Sequence, residues 1–462
     1  QLDLTEPFSP FASLLTTGML PEHVWSEIPS GTVRLAELNL KPVGSGPWKF
    51  DRLEKDKMGS LYSYTIVPFA LSTTKQPYLD SVVFRFFPDF DTAIEALNNK
   101  KIDGISYVPR QLIERVTNAQ NVKTYHLQLP QYTSLFFNAK KNAALKDKTV
   151  RQAIAYSIER SRLVQVAFDG LADIVNGPLL PGMTGYDPEL EGYPYNPVEA
   201  QRLLEEAGWK AVTADEYIEA ERARIKKEKD AAAKASTSAE ATVDKTATEE
   251  VAKENTEEST ATEPEAVETP EEVEIDTGNQ AVFRKKGDEF LTLQLTAVNQ
   301  PENVRAAELL KNALQTIGFK VVVNIVSVSN LTNTVLPERD YEALLYGQIL
   351  NGVVDLYPFW HSSQLSHPGL NLAGLSDKDA DKLLQTARQT SDESVRAESY
   401  KNFQKILDKE TTAVFLYSPK YTYLLPARIQ GFGVERIGIP ADRFNNIGDW
   451  YMKTKKEFRL SR

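Results

Sequence analysis

Lys146-Asp-Lys-Thr-Val-Arg-Gln-Ala-Ile-Ala-Tyr-Ser-Ile-Glu-Arg160 and Tyr195-Asn-Pro-Val-Glu-Ala-Gln-Arg-Leu-Leu-Glu-Glu-Ala-Gly-Trp209 decide how this chain is read. The first stretch reads as a helix with Asp147 as N-cap and an apolar stripe at Val150, Ile154 and Ile158, a spacing of four that keeps one face buried. The second reads as a helix with Asn196 at the N-cap, Pro197 at the first helical position and Glu199 placed to complete a capping box. Ala200, Leu203, Leu204 and Ala207 form its stripe, and Gly208 supplies the left-handed residue that ends it. Between the two lies a crossing punctuated by Gly170 and Gly177-Pro-Leu-Leu-Pro181. None of these residues does chemistry; their order and texture carry the information.

Outward from this block the chain reads as mixed α/β. Ser81–Phe87 predicts a strand, Asp91 caps a short helix through Ala93, Ile94 and Leu97, and Ile102–Ile105 resumes extended structure as a compact βαβ unit. Leu291–Leu295 alternates as a strand. A helix runs through Val304, Ala307, Leu310, Leu314 and Ile317 to Gly318, and Phe319–Val328 follows as a strand. Two helices, Asp377–Thr390 and Asp392–Asp408, precede the strand Ala413–Tyr417. Strands alternating with helices argue for α/β lobes.

With 462 residues, 41% of them hydrophobic, two or more domains are expected. No run of apolar residues is long enough to span a bilayer, and no charged-then-apolar leader opens the chain at Gln1. Cysteine is absent, which excludes disulfides and thiolate chemistry. The net charge of −11 is local: residues 211–280 hold 20 Asp+Glu and 8 Lys+Arg, a balance of −12, leaving +1 elsewhere. No aromatic residue occurs from Ile218 to Val282. Such a composition buries too little surface to offset ordering entropy. Residues 214–278 therefore read as an acidic, disordered insertion, whose first part, Ala214–Lys234, has helical propensity. No basic patch points to nucleic acid.

Catalytic patterns are thin. His361 lies beside Ser362 and Ser363, with Asp355 and His367 nearby, so a Ser-His-Asp hydrolase reading exists on paper, but no Gly-x-Ser-x-Gly elbow accompanies it. The spacing of His361, His367 and Asp355 is looser than metal sites use, and neither a metal nor a cofactor is expected. The glycines of Pro42-Val-Gly-Ser-Gly-Pro-Trp-Lys-Phe50 lack a phosphate-loop ending and read as a tight turn. Tyr346–Gln364 gathers aromatics and one carboxylate on a loop. Asp355 could serve as counter-ion to a cationic ligand such as a peptide N-terminus, with Trp360 in the wall. Equally, Phe359 and Trp360 could plug the core while Asp355 caps a turn.

Several of these segments, taken in order, resemble the peptide/nickel-type extracytoplasmic solute-binding proteins of ABC importers. Lys148–Arg160 is similar to that family's V-R-Q-A helix, and Tyr195–Trp209 to its Y-D-P…A-G-W helix. Gly18-Met-Leu-Pro-Glu-His23, Pro42–Phe50, Asn98–Asp103 and Leu135-Phe-Phe-Asn138 match further segments in family order. The resemblance implies a two-lobe periplasmic-binding-protein-like fold with an interlobe cleft and hinge closure. Mapped onto this chain, lobe I covers 1–130 and 418–462 and is incomplete at its N-terminus, because the family normally begins with a further stretch. Lobe II covers 131–417, and the hinge strands fall near Gln131–Asn138 and Ala413–Tyr421.

On the same resemblance, the function is capture of a small solute, most of all an oligopeptide, outside the cytoplasm by a monomer that delivers it to a membrane permease. Gly347, Gln348, Asp355, Trp360, Tyr132 and Tyr417 are the implied ligand-binding residues, with Tyr421 and Tyr423 near the cleft. Gln348 stands where peptide binders carry Trp. A hydrolase using Ser362 or Ser363 with His361, or an interaction protein acting through the acidic segment, are the alternatives.

Overall fold

The chain is described by a computed structural model covering residues 2–16, 18–117, 119–240, 275, 277–278, 280–350 and 354–453. It is a mixed α/β protein. Strands β1 (Trp48–Lys55), β2 (Leu61–Pro68) and β3 (Val82–Arg85) form an antiparallel sheet in order β1-β2-β3. The larger sheet contains β4 (Val122–Gln128), β5 (Gln131–Phe137) and β6 (Ala172–Ile174). A small sheet of β7 (Lys210–Thr213), β8 (Val282–Lys286) and β9 (Glu289–Phe290) follows. The larger sheet is completed by β10 (Thr292–Val298), β11 (Lys320–Val326), β12 (Ala343–Ile349) and β13 (Ala413–Pro426), in order β11-β10-β12-β5-β13-β4 with β6 also on β13.

Strand β5 is buried along nearly its whole length because both faces of the sheet are covered. Leu135 and Phe137 point into a core built with the helices of the opening block, while Tyr132 and Phe136 point into a second core under helices Lys378–Gln389 and Glu393–Glu410. β12 splits the same way, with Ala343 and Leu345 on one side and Leu344 on the other. Each fully enclosed side chain of this size contributes about 1.5–3 kcal/mol.

The opening block folds largely as its caps dictate. Asp147 accepts the Thr149 N–H, and Val150, Ile154 and Ile158 are buried. The helix ends at Ser157, earlier than expected, because Ile158 turns extended; a further helix, Arg160–Phe168, follows. Asn196 caps helix Pro197–Glu206 through the Glu199 N–H. The capping box is not reciprocal: Glu199 pairs with Arg202, and the Asn196 N–H donates to the Tyr156 carbonyl, tying the two helices together. Gly208 takes the left-handed conformation at φ +86°. Arg151 and Arg160 brace the block. Arg151 donates to the carbonyls of Leu145, Lys146, Glu410 and Thr411, and Arg160 to those of Val175 and Tyr193 and to Asn176 Oδ1.

Elsewhere the expected elements form with shifted ends, β13 running to Pro426 rather than Tyr417, and with three larger differences. The helix after β3 is capped by Asp89, whereas Asp91 pairs with Arg115. The βαβ unit does not form: β3 pairs antiparallel with β2, and Ile105 makes only a single bridge to Leu424. The charged segment after β7 is helical over Ala214–Glu240, beyond the expected end at Lys234; most of the rest of the acidic segment lies outside the described residues. Glu216 and Thr213 cap this helix reciprocally, and Tyr217 stacks on Phe283 at 4.1 Å. Thr213 and Val282 are register partners, so the insertion leaves and re-enters at one point.

Among the described residues, two β segments cross between the lobes. β4 passes into β5 through Leu129 and Pro130, and β13 runs unbroken. β13 pairs with β5 over Ala413–Tyr417, with β6 over Tyr417–Pro419 and with β4 over Lys420–Pro426. The crossings therefore lie at 128–131 and 417–420, at the edges of the expected hinge strands. Residues near the N-terminus sit against lobe II: the Ser9 N–H donates to the Arg388 carbonyl at 2.8 Å, and the Arg388 guanidinium lies 4.9 Å from the Phe8 ring centre.

Candidate interlobe binding site

The residues first singled out divide into groups. Tyr132, Gln348 and Trp360 meet inside the second core, where the Tyr132 hydroxyl donates to Gln348 Oε1 and the Gln348 amide donates to the Leu370 carbonyl. Trp360 is wholly enclosed among Phe136, Phe403 and Phe415. Tyr417 lies on the opposite side of the sheet against Phe168, with ring centres 4.4 Å apart. Gly347 pairs with Thr133 in the ladder, where a Cβ would touch Thr133 Oγ1 at 3.4 Å. Tyr421 and Tyr423 pack in the lobe I core. Burial pushes the phenols of Tyr132, Tyr417 and Tyr423 above their ordinary range.

Asp355 sits apart from these. Its Oδ1 accepts the Tyr357 N–H at 3.1 Å, which is a turn cap, and its Oδ2 lies 3.4 Å from Arg388 Nε. Burial raises its pKa, against the lowering pull of the Tyr357 N–H and Arg388. The carboxylate thus already has a cation, and that guanidinium also lies over the Tyr357 ring at 4.4 Å. The local arrangement follows the core-plug and turn-cap reading.

His361 stacks on Tyr357 at 4.0 Å. Its Nδ1 accepts the Ser363 N–H at 3.0 Å and so caps the turn Ser362–Gln364. The Ser362 hydroxyl donates directly to Asp381 Oδ2 at 2.5 Å, and His361 Nε2 stands 3.8 Å from Asp381 Oδ1. In a relay the imidazole would lie between hydroxyl and carboxylate; Ser362 bonds the carboxylate itself, whereas Ser363 Oγ stands 2.9 Å from His361 Nδ1, the nitrogen that also accepts the Ser363 N–H. Among the described residues, no three His, Asp or Glu side chains gather to hold a metal.

A cavity of about 590 Å³ opens beside the crossings, within the size range of small-ligand sites. Gln128, Pro130 and Ser418 line it at the hinge, Arg436 and Ile437 from lobe I, and the Gly/Pro crossing of the opening block from lobe II. That crossing is held by close approaches. Gly185 has φ +82°, and a Cβ there would come within 2.6 Å of Tyr400 Cβ. Gly182 has φ +86°, and a Cβ there would overlap the Arg436 guanidinium. Gln404 donates to the Gly185 carbonyl at 2.8 Å, fixing the crossing to helix Glu393–Glu410. Arg436 and Arg396 were not singled out in the sequence; for Arg436 the facing Gly182 was the available signal.

A two-lobe α/β fold with a cavity at its two crossings defines the class of solute-binding proteins. The chain belongs to the bacterial extracellular solute-binding proteins, family 5 Middle, whose model matches residues 1–253. It is similar to the oligopeptide-binding protein AppA of Bacillus subtilis (strain 168), with 25% identity over 447 residues, 95% of this chain and 68% of that one. The solved structure of AppA in complex with a nonapeptide matches with a TM-score of 0.63 at 22% identity, covering 98% of this chain and 75% of that one. CtaP from Listeria monocytogenes matches with a TM-score of 0.71 at 18% identity, covering 97% and 75%. NikZ from Campylobacter jejuni, in complex with Ni(L-His), matches with a TM-score of 0.64 at 21% identity, covering 97% and 76%. These structural likenesses show the shared fold.

Proposed function

We propose that this chain captures an oligopeptide outside the cytoplasm in the cavity between its lobes and presents it to the permease of an ABC importer. The observation that carries this reading is the cavity of about 590 Å³ built jointly by both lobes at their crossings, in a chain of this family. The similarity to an oligopeptide-binding protein along 95% of the chain supports it. A solute that touches both lobes stabilises the arrangement in which they close on it, and that closed form is what a permease can distinguish from the empty protein. The work done is binding by a monomer at the outer face of the cytoplasmic membrane or in the periplasm, without turnover. Lobe I is taken as about residues 11–130 and 418–453, since Phe8 and Ser9 lie on lobe II. Gly347 and Gln348 act in the sheet, against Thr133 and Tyr132, and Asp355 holds Arg388.

Incubating the full chain with a degenerate tetrapeptide mixture and weighing the complexes by native mass spectrometry tests this. Retained peptides, with retention unchanged in Ser362→Ala and Ser363→Ala, are expected. No retained peptide, together with serine-dependent cleavage of an ester or peptide, would replace capture by hydrolysis.

A further inference from the structure

We infer that Phe8 and Ser9 form a strap that caps the end of helix Lys378–Gln389 from outside, and so positions the lobe II wall of the interlobe cavity at Val354 and Arg396. The inference rests on the peptide-capture reading only for the probe used in the binding arm of its test.

The last carbonyls of an α-helix find no partner within it. Here the strap meets two of them: the Ser9 N–H donates to the Arg388 carbonyl at 2.8 Å, and the Ser9 hydroxyl to the Ala387 carbonyl at 3.2 Å. One residue earlier, the Phe8 ring centre lies 4.9 Å from the Arg388 guanidinium carbon, and the Tyr357 ring centre lies 4.4 Å from the same atom. The cation is therefore shared by two aromatic rings, one from the strap and one from the loop beyond the cavity wall. His361 stacks on Tyr357 at 4.0 Å, which carries the line of contacts on to the turn Ser362–Gln364.

The same helix end holds the cavity wall at two points. Arg388 Nε lies 3.4 Å from Asp355 Oδ2, and Asp355 directly follows Val354, which lines the cavity. The Thr390 carbonyl accepts Arg396 Nη2 at 3.1 Å, and Arg396 lines the cavity too. The Asp355 side chain is only 15% exposed, so a guanidinium that swings away leaves a partly desolvated carboxylate without its cation. The strap arrives from the direction of lobe I: after Ser9 the chain runs through residues 10–47 to Trp48, which packs on the lobe I core. This passage is held to lobe II by surface contacts that can break and re-form. Because the strap is tethered, its docking is intramolecular, and its release loosens the wall without unfolding either lobe.

The test reads hydrogen exchange by mass spectrometry on the full chain without solute, and then the dissociation of a degenerate tetrapeptide mixture from it. Phe8→Leu keeps apolar bulk but offers the cation no ring, whereas Phe8→Trp keeps a ring. In Phe8→Leu, amides of residues 354–361 and 386–392 are expected to exchange about tenfold faster, with those of 413–417 unchanged. The tetrapeptides should leave about threefold faster, and Phe8→Trp should restore both readings. Ser9→Ala spares the ring and the core; it should move the same two segments about twofold, which keeps the test decisive if Phe8→Leu fails to fold. Unchanged exchange at 354–361 in Phe8→Leu would overturn the strap's role, as would faster exchange there with unchanged peptide dissociation. Protection in Phe8→Leu equal to that in Phe8→Trp would reduce Phe8 to apolar packing and overturn the positioning through Arg388. Retention of no peptide by the unaltered chain would overturn the peptide reading alone, since the exchange arm decides the strap without solute.

Discussion

Arg151 donates from Nη2 to the Glu410 carbonyl at 2.7 Å, so the first helix of the opening block caps the end of the helix that leads into the crossing strand. The same guanidinium satisfies the carbonyls of Thr411 and Leu145. Replacing Arg151 by Met keeps the stem but leaves these enclosed acceptors bare, and should cost about 2–4 kcal/mol in urea unfolding. Arg151→Lys, which cannot reach several carbonyls at once, should recover less than half.

Gly185 faces Tyr400 and the Ala397 carbonyl with a left-handed backbone. Gly185→Ala adds strain and a collision together and should destabilise the chain by about 2–3 kcal/mol. Gly374 also has positive φ but open space around it, so Gly374→Ala should cost only about 1 kcal/mol. Paired thermal melts distinguish the two.

Asp355 has a raised pKa in the folded chain. A carboxyl whose folded pKa exceeds its unfolded one takes up its proton more readily when folded. Its contribution is full below the unfolded value near 3.8 and is lost as pH rises through the folded value. Asp355→Asn cannot ionise, so its stability relative to the unaltered chain should rise with pH above about 4 and level off once the carboxyl is fully ionised. Urea titrations at several acid and neutral pH values measure this; a flat difference would contradict the raised pKa.

The helix Ala214–Glu240 is held at its base, where Tyr217 is buried against Phe283 and Phe290. Removing residues 226–276 behind a short Gly/Ser link should change stability by less than about 0.5 kcal/mol and leave ligand retention intact. Removing 214–278 instead deletes the Tyr217 stack and should cost about 1–2 kcal/mol. Lost retention in the shorter deletion would give the acidic segment a direct role in binding.

Local features were legible in the sequence. Asp147 and Asn196 cap the helices that follow them as read, because an N-cap depends on a few neighbouring residues, while the cap read at Asp91 falls two residues earlier, at Asp89. The two-lobe arrangement was legible through the order of the resembling segments. The lining of the cavity was not. Tyr132 and Tyr417 sit on strands covered on both faces, so no polar–apolar alternation marks a side chain as wall or core. Asp355 looked free because its cation, Arg388, arrives from a distant helix. Arg436 owes its position to a bridge with Gln128, a pairing that neighbouring residues do not encode.

Strand β13 has one residue without an amide hydrogen near the crossing, Pro419, which stands opposite Ala172. Pairing with β5 ends at Tyr417 and pairing with β4 begins at Lys420, so Ser418 and Pro419 are held in the ladder by the short β6 alone. Twisting of one lobe against the other is thus concentrated at a single weak link in a fourteen-residue strand, as a crease localises the bending of a stiff card. Substituting Pro419 would free the φ that its ring fixes at this link, and would alter how fast the lobes open and shut before it altered what they hold.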